Sequence, residues 1–305
     1  MEQKGSKFFS VVIPVYNRFE LVTQTIASVL AQQNQDFEII IVDDGSNDGS
    51  SGKLDAAYAG IQNIRVIHQP NLERGAARNH GFAEAAGQYI VFLDSDDLLL
   101  PNHLEVLRRG IERLEYPDFI ATKYQFLRSG KRFPSDISSY PEGFYDYHLF
   151  LNGNPLACNV CVKKKNKKLF LFEEDRRFAI KEDWMFFLQN LRHQSLYLID
   201  EVTFLMLDHA ARSMRGDNRI IVEKTLAAQR WIHEKIDLDA KEKNKLSAHV
   251  FYFCAIHSYL DDERKAASRF IFSAFKSGGF KIKYLVLSIK IMIGRKRVQY
   301  FTRPT

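Results

Sequence analysis

The run Tyr89-Ile90-Val91-Phe92-Leu93-Asp94-Ser95-Asp96-Asp97 decides how the rest of the chain is read. Five apolar residues after Gly87 predict a strand buried on both faces, the kind that belongs to mainly parallel sheets. The acids then stand at the strand's carboxyl end, which in open α/β sheets is the ligand side. Three carboxylates within four residues repel one another, and a divalent cation or a polyhydroxyl ligand would relieve the repulsion. A plainer alternative is a polar turn at Asp94 and Ser95, with Asp96 and Asp97 capping a helix that begins near Pro101.

The same pattern occurs upstream. Phe8 to Pro14 predicts a first strand, stopped at Pro14-Val15-Tyr16-Asn17, and Leu21, Thr25, Ile26, Val29 and Leu30 follow at helical spacing. Phe37 to Val42 predicts a second strand, again ending in acids, Asp43-Asp44-Gly45-Ser46. Capping needs one aspartate, so two at a buried strand tip suggest more than a cap. A third strand, Asn63 to His68, leads through Gln69-Pro70-Asn71 into Arg74-Gly75-Ala76-Ala77-Arg78-Asn79-His80-Gly81. Its small residues suit a helix whose first turn comes close to another backbone or a ligand, and Arg78 offers a fixed guanidinium. Strand and helix alternate throughout, which predicts a doubly wound sheet with right-handed crossovers.

Taken together, these motifs, in this order and at these gaps, resemble the family 2 glycosyltransferases. The likeness runs from residue 8 to about 215, because Lys181-Glu182-Asp183-Trp184 is similar to that family's acceptor-side acidic motif. It departs at Glu73, where the family commonly has glycine. The resemblance implies an α/β GT-A fold, a Rossmann-like, mainly parallel twisted sheet with flanking helices. It implies a donor site built from Pro14, Tyr16, Asn17, Asp44, Asn71, Arg78, Asp94 and Ser95, with Asp44 on the nucleotide base. Asp96 is the first metal ligand, with Asp94 on the ribose or a metal-bound water, Asp97 second, and His209 a further candidate. Mn2+ or Mg2+ fits an all-oxygen site that also takes substrate phosphates. Asp183 would be the general base for inverting transfer of one sugar from a nucleotide-diphosphate donor, a UDP-sugar before others. The acceptor implied is a glycan or lipid-linked glycan in surface polysaccharide synthesis. The alternative is a catalytically inactive nucleotide-sugar-binding or assembly protein of the same fold.

Composition and charge set the surroundings. With 305 residues, 46% of them hydrophobic, the chain can bury a large core. Residues 1–215 are expected to form the catalytic domain, 1–100 on the nucleotide-sugar side and 101–215 on the acceptor side. Residues 216–305 are expected to be helical, over Ile220–Ile236, Ala240–Leu260 and Asp262–Lys276. Three cysteines without a secretory leader suggest a reducing cytoplasm, and Cys158 and Cys161 lack the second pair a zinc knuckle needs. Residues 264–305 hold eleven Lys and Arg and no acid, which leaves 32 basic against 37 acidic residues, a net of −5, for residues 1–263. A nucleic-acid surface would spread its positive charge through the fold, so no nucleic-acid partner is expected. Arg269, Lys276, Lys283, Lys290 and Arg297 recur every seven residues among apolar side chains, with no run long enough to span a bilayer. The tail is therefore expected to lie in an anionic membrane surface, on the inner face of the cell membrane, or else to dock on the protein's own core. Phe126 to Gly143 is expected to be a mobile loop, and Lys163-Lys164-Lys165 a solvated turn that could meet an anionic acceptor.

Overall fold

The computed structural model describes residues 7–209 and 216–295. Four strands run parallel in the order β3 (Ile64–His68), β2 (Phe37–Asp43), β1 (Phe9–Val15), β4 (Tyr89–Phe92). Every residue of β1 and of β4 is buried, so continuous apolar runs were the correct signal for strands covered on both faces. Helices α1 (Phe19–Leu30), α2 (Ser50–Tyr58) and α3 (Glu73–Glu84) make the crossovers. The register sets Val15 beside Asp43 and Val12 beside Phe92. Asp44 and Asp94 therefore emerge side by side with Pro14 to Tyr16 at one edge of the sheet.

Beyond β4 the sheet continues through β5 (Asp97–Leu99), β6 (Phe119–Arg128), β7 (Lys131–Pro134), β8 (Gly143–Tyr145), β9 (Val160–Lys163) and β10 (Leu196–Leu207). The path is β4-β9-β6-β10-β5, with β9 antiparallel to both neighbours and β10 parallel to β6. The architecture is the expected mainly parallel GT-A type, with antiparallel insertions. The stretch 126–143 is not a loop: it finishes β6, turns into β7 and forms a 3₁₀ turn at Asp136–Ser139. Its prolines gave the wrong impression because Pro134 closes an edge strand, where a missing N–H costs nothing. Helix α4 (His103–Arg113) begins two residues after Pro101. Of the paired cysteines, only Cys161 lies on a strand; both are buried free thiols.

Lys163 pairs with Tyr89, at the start of β4. The lysine run therefore lies at the opposite end of the strand from the acids, with Lys163 and Lys164 donating to backbone carbonyls. It cannot meet a ligand held at the strand ends.

Helix α5 (Glu182–Leu191) is followed, after β10, by α6 (Asn218–Lys235), α7 (Ala240–Leu260), α8 (Arg264–Gly278) and α9 (Ile282–Ile293). Ala228, Ile232, Leu246, Val250 and Cys254 place α6 and α7 in the main core. A second, smaller core joins α7, α8 and α9 through Tyr259, Ile271, Tyr284 and Leu287. The basic tail does dock on the protein through Tyr284, Leu287 and Ile291, yet α9 leaves Ile282 at 75% and Met292 at 73% exposed. Arg297, the last member of the seven-residue repeat, and Arg303 lie outside the described residues, as do the expected domain limit at 215 and the Ala211-Arg212-Ser213 end of the His209 loop.

The small residues of α3 are explained by close backbone approach. A Cβ on Gly75 would stand 2.4 Å from the carbonyl oxygen of Glu173, and one on Gly81 2.4 Å from Val12. Gly75→Ala is expected to lower stability by about 1–3 kcal/mol through overpacking, seen as a lower urea midpoint at unchanged slope.

Candidate active site

A cavity of about 760 Å³ opens at the strand ends. One wall, at the strand ends, holds Pro14, Tyr16, Arg18, Asp44, Asn71, Arg78, Asp94, Ser95 and Asp96. Its other wall holds Lys181, Glu182, Asp183 and Trp184, together with Asp136 and Tyr140 from the 126–143 segment. Thr225 from α6 and His249 and Phe253 from α7 close it. Asn17 stands beside this set, its side chain donating to Asn47 at 2.9 Å and its N–H to Ser46.

Asp44 is 4% exposed and already engaged. Its Oδ1 accepts from the Gln69 side chain at 2.7 Å and from the Leu72 N–H at 2.8 Å, which closes the 69–72 loop over the end of β2. Asn71 donates to the Asp44 carbonyl at 3.0 Å. Arg176, from the 3₁₀ turn Arg176–Phe178, reaches across to the Asn71 side chain at 2.6 Å and to Glu73 at 3.2 Å. Glu73 itself has φ +75°, in the left-handed region where glycine is unstrained, so the residue at which the family resemblance departs carries a strained backbone. Ile180 has φ +74° just ahead of Lys181. A β-branched residue in that region is held there only by its surroundings, and such strain collects at functional sites.

The acidic run is divided by its neighbours. Asp97 faces inward, where its Oδ1 accepts from the Leu207 N–H at 3.1 Å and its backbone pairs with Met206. This antiparallel pairing of β5 with β10 brings His209, two residues past the strand, to 2.9 Å from Asp96 Oδ2, which also takes Arg18 at 3.1 Å. Asp94, Asp96 and Asp97 can each offer a carboxylate oxygen within 4.8 Å of the others. Three hard oxygen donors with adjacent space for a diphosphate fit Mg2+ or Mn2+, so the donor set is chemically suited to the implied metal.

Arg78 is the most enclosed of the candidates, 1% exposed. Its guanidinium spans the two halves of the site, donating to Asp94 at 2.6 Å and to Glu182 at 2.8 Å. The arginine expected on the donor thus touches both acidic motifs at once. Beside it, Asn79 exchanges hydrogen bonds with the Phe172 backbone at 2.8 and 3.0 Å and donates to Glu174, fastening α3 to the segment that carries Arg176.

Asp183 is the second residue inside α5, not its cap; Lys181 occupies the cap position. The Asp183 carboxylate accepts from the Trp184 N–H at 2.7 Å and lines the cavity. Burial, then the neighbouring Glu182 charge, pushes its carboxyl up to about 6. Sequence reasoning passed over Glu182, Lys181, Arg74, Arg176, His249 and Phe253. For Lys181 and Glu182 the signal was present, since both sit inside the quoted acidic motif, and Arg74 opens the quoted small-residue stretch; Arg176, His249 and Phe253 are brought in only by the fold.

A sequence profile of the family described as glycosyl transferase family 2 matches residues 10–164. The chain belongs to that family. It is 39% identical over 166 residues to an uncharacterized glycosyltransferase of Rickettsia felis, a match spanning 54% of this chain and 27% of that protein. It is 36% identical over 129 residues to glycosyltransferase GlyG of Streptococcus pneumoniae, covering 42% and 43%. These matches span about a quarter to under half of the relatives' own length. Among solved structures, S. aureus TarS 1-349 aligns with TM-score 0.66 at 17% identity over 96% of this chain and 91% of that one. The same protein in complex with UDP-GlcNAc aligns with TM-score 0.68. The likeness establishes the GT-A fold.

Removing the guanidinium should leave Glu182 buried with Arg74, 3.7 Å away, in place of its 2.8 Å partner. Arg78→Met is expected to cost about 3–5 kcal/mol, as breaking a buried pair does. Arg78→Met combined with Glu182→Leu should recover much of that loss in a denaturation double-mutant cycle, and additive losses would mean the pair is not coupled.

Proposed function

We propose that this family 2 member transfers a single sugar, with inversion, from a nucleotide-diphosphate donor to a glycan or lipid-linked glycan acceptor in surface polysaccharide synthesis. A UDP-sugar is the first choice of donor, because a structural neighbour was solved with UDP-GlcNAc. One observation carries the reading: the strand-end acids and Asp183 line a single cavity large enough for a donor and an acceptor group together. An inactive binder of the same fold would have no use for a desolvated carboxylate facing the donor site.

In this reading Pro14, Tyr16 and Asn17 form the floor under the nucleotide, and the loop held by Asp44 and Asn71 closes on the base. Asp94 and Ser95 face the ribose and diphosphate. Asp96 and Asp94, with His209 at hand, would hold Mn2+ or Mg2+. When bound, such an ion neutralises the charge that grows on the departing diphosphate. Asp183 takes the acceptor hydroxyl proton as that oxygen bonds to the anomeric carbon from the face opposite the diphosphate. The sugar–phosphate C–O bond breaks, the nucleotide diphosphate leaves with the electron pair, and the anomeric centre inverts.

The proton balance gives a pH signature. Asp183 must be ionised to act, so turnover of a UDP-sugar, read as UDP release, should rise through about pH 6 and level off. Asp183→Asn should reduce turnover by about 10²–10⁴-fold, while Mn2+-dependent UDP binding, abolished in Asp96→Ala, stays intact. A folded carboxyl raised above its usual 3.8 contributes stability below about pH 4 and loses it as pH rises through about 6. At neutral pH, Asp183→Asn should therefore gain on the order of 1 kcal/mol in stability, discounted for the partial exposure of the group. Unchanged turnover in Asp183→Asn would overturn the assignment.

The membrane part of the reading rests on α9. Ile282, Leu285, Val286, Ile289, Met292 and Ile293 are exposed on a helix whose only charged side chains are Lys283 and Lys290. No helix among the described residues is long and apolar enough to cross a membrane. A helix half docked and half apolar suits a headgroup–acyl boundary, with lysines reaching anionic headgroups. The full chain is expected to pellet with phosphatidylglycerol vesicles, and Ile282→Glu with Met292→Glu to release it; equal pelleting of the variant would count against a membrane role for α9.

A further inference from the structure

Of the two aspartates at the end of β2, the transfer reading uses Asp44 and leaves Asp43, whose side chain is 1% exposed. Both of its oxygens are engaged. Oδ1 accepts from the Ser46 N–H at 3.1 Å, while Oδ2 accepts from the Ser51 hydroxyl and stands 2.9 Å from His68 Nδ1. His68 is the last residue of β3, in register with Asp43. Its other ring nitrogen, Nε2, lies 3.0 Å from Asp55 Oδ1 on α2.

The protons on the ring decide how well it fits between two carboxylates. A neutral imidazole has one N–H, so one carboxylate would face a lone pair; the imidazolium donates to both. Strand β2 and helix α2 pack closest on β3, and the charged groups they bring to the ring are Asp43 and Asp55. Lys53 of α2 stands 3.5 Å from Glu20, Arg65 of β3 goes to Glu38 and Glu84, and His80 of α3 meets the Gln69 side chain at 2.9 Å. The hydrogen bonds to Asp43 and then to Asp55 raise the imidazole above its usual 6.5.

From Asp43 two chains of hydrogen bonds run to the cavity wall. In the first, Ser46 accepts from the Asn17 N–H at 2.9 Å, and Asn17 exchanges bonds with Asn47 at 2.8 and 2.9 Å. Asn17 has φ +51° and sits between the cavity residues Tyr16 and Arg18, so these bonds set the turn that presents both. In the second, the Asp43 carbonyl accepts from the Gln69 N–H at 3.0 Å, and Gln69 and Leu72 then close on Asp44.

We propose that His68, doubly protonated and shared by Asp43 and Asp55, is a positioning residue for nucleotide-diphosphate binding. It fixes the turn at 15–18 and the loop at 69–72, so the chain binds the nucleotide more tightly with the ring charged than with it neutral. This inference rests on the cavity being a nucleotide-sugar site. A group whose folded midpoint is raised holds its bonds in full below about pH 6.5 and loses them as pH rises through the higher midpoint. Nucleotide affinity therefore declines on the alkaline side, above the range in which Asp183 ionises.

The test is calorimetric titration of UDP into the full chain with Mg2+ from about pH 6 to about pH 9. It is run beside His68→Asn, whose amide can donate to Asp43 but does not titrate. Ionisation of UDP itself affects both proteins alike, so the difference between their curves reports His68. Wild-type affinity should fall by about fivefold or more relative to His68→Asn. By reciprocity, UDP should raise the His68 ring midpoint by about 0.7 pH unit, followed by NMR on a signal that His68→Asn lacks. Asp55→Asn, at an exposed position of α2, should move the decline to lower pH. Parallel curves for wild type and His68→Asn, or a midpoint that UDP leaves unmoved, would overturn the proposal, since a merely structural His68 gives that result. Should His68→Asn not fold, the midpoint with and without UDP decides alone, the signal being assigned by its shift in Asp55→Asn. Failure of UDP to bind at any pH would instead sink the transfer reading.

Discussion

The site is held together by one buried guanidinium. Arg78 is nearly inaccessible to solvent and spans Asp94 at 2.6 Å and Glu182 at 2.8 Å. A charge in that position is tolerable because both partners are anionic and close, and the guanidinium in turn offsets the burial of Glu182, which Arg74 approaches only to 3.7 Å. The end of β4 and the start of α5, far apart in sequence, are thereby locked to one side chain of α3. The small residues of that helix serve the same end. Gly75 lets α3 approach the backbone at Glu173, and Asn79 fixes the segment that follows. The acids after β4 and those at the start of α5 keep a set separation because a single helix, α3, ties them together.

That arrangement carries a cost which the fold accepts at Asp183. Its carboxyl is crowded by burial and by Glu182, so that it gives up its proton only near pH 6. The left-handed Ile180 and Glu73 point the same way, since strained backbone is retained where geometry matters more than stability. A carboxylate made basic by its surroundings is a better proton acceptor than a solvated one.

The C-terminal helices have two faces with different uses. Through α6 and α7 they join the main core and deliver Thr225, His249 and Phe253 to the cavity wall. Through α8 and α9 they build a smaller core and leave an apolar, lysine-edged surface outside it. The seven-residue spacing of basic residues is thus shared between two helices that break at Gly279, and it does not describe one continuous amphipathic face.

Much of the strand-end half of the cavity was legible in the sequence, for a physical reason. Strands buried on both faces need continuous apolar runs, and acids can follow them only where the sheet ends, so Asp44 and Asp94 reveal their place by local pattern alone. The helices after residue 217 were legible likewise from their 3.6-residue period. The hairpin at 126–134, the antiparallel β9 and the short β5 were not, because edge and inserted strands are defined by what they pair with. Local pattern also singled out Arg78 as a fixed guanidinium, and the family resemblance singled out Asp183 and His209. Only the tertiary structure decided that Arg78 bridges two motifs, that Glu182 tunes Asp183, and that pairing of β5 with β10 carries His209 to Asp96. That Phe253 lies under the Lys181 ammonium, and that His249 and Phe253 close the cavity, was decided by tertiary packing alone, because contacts between distant segments leave no period or spacing in the chain.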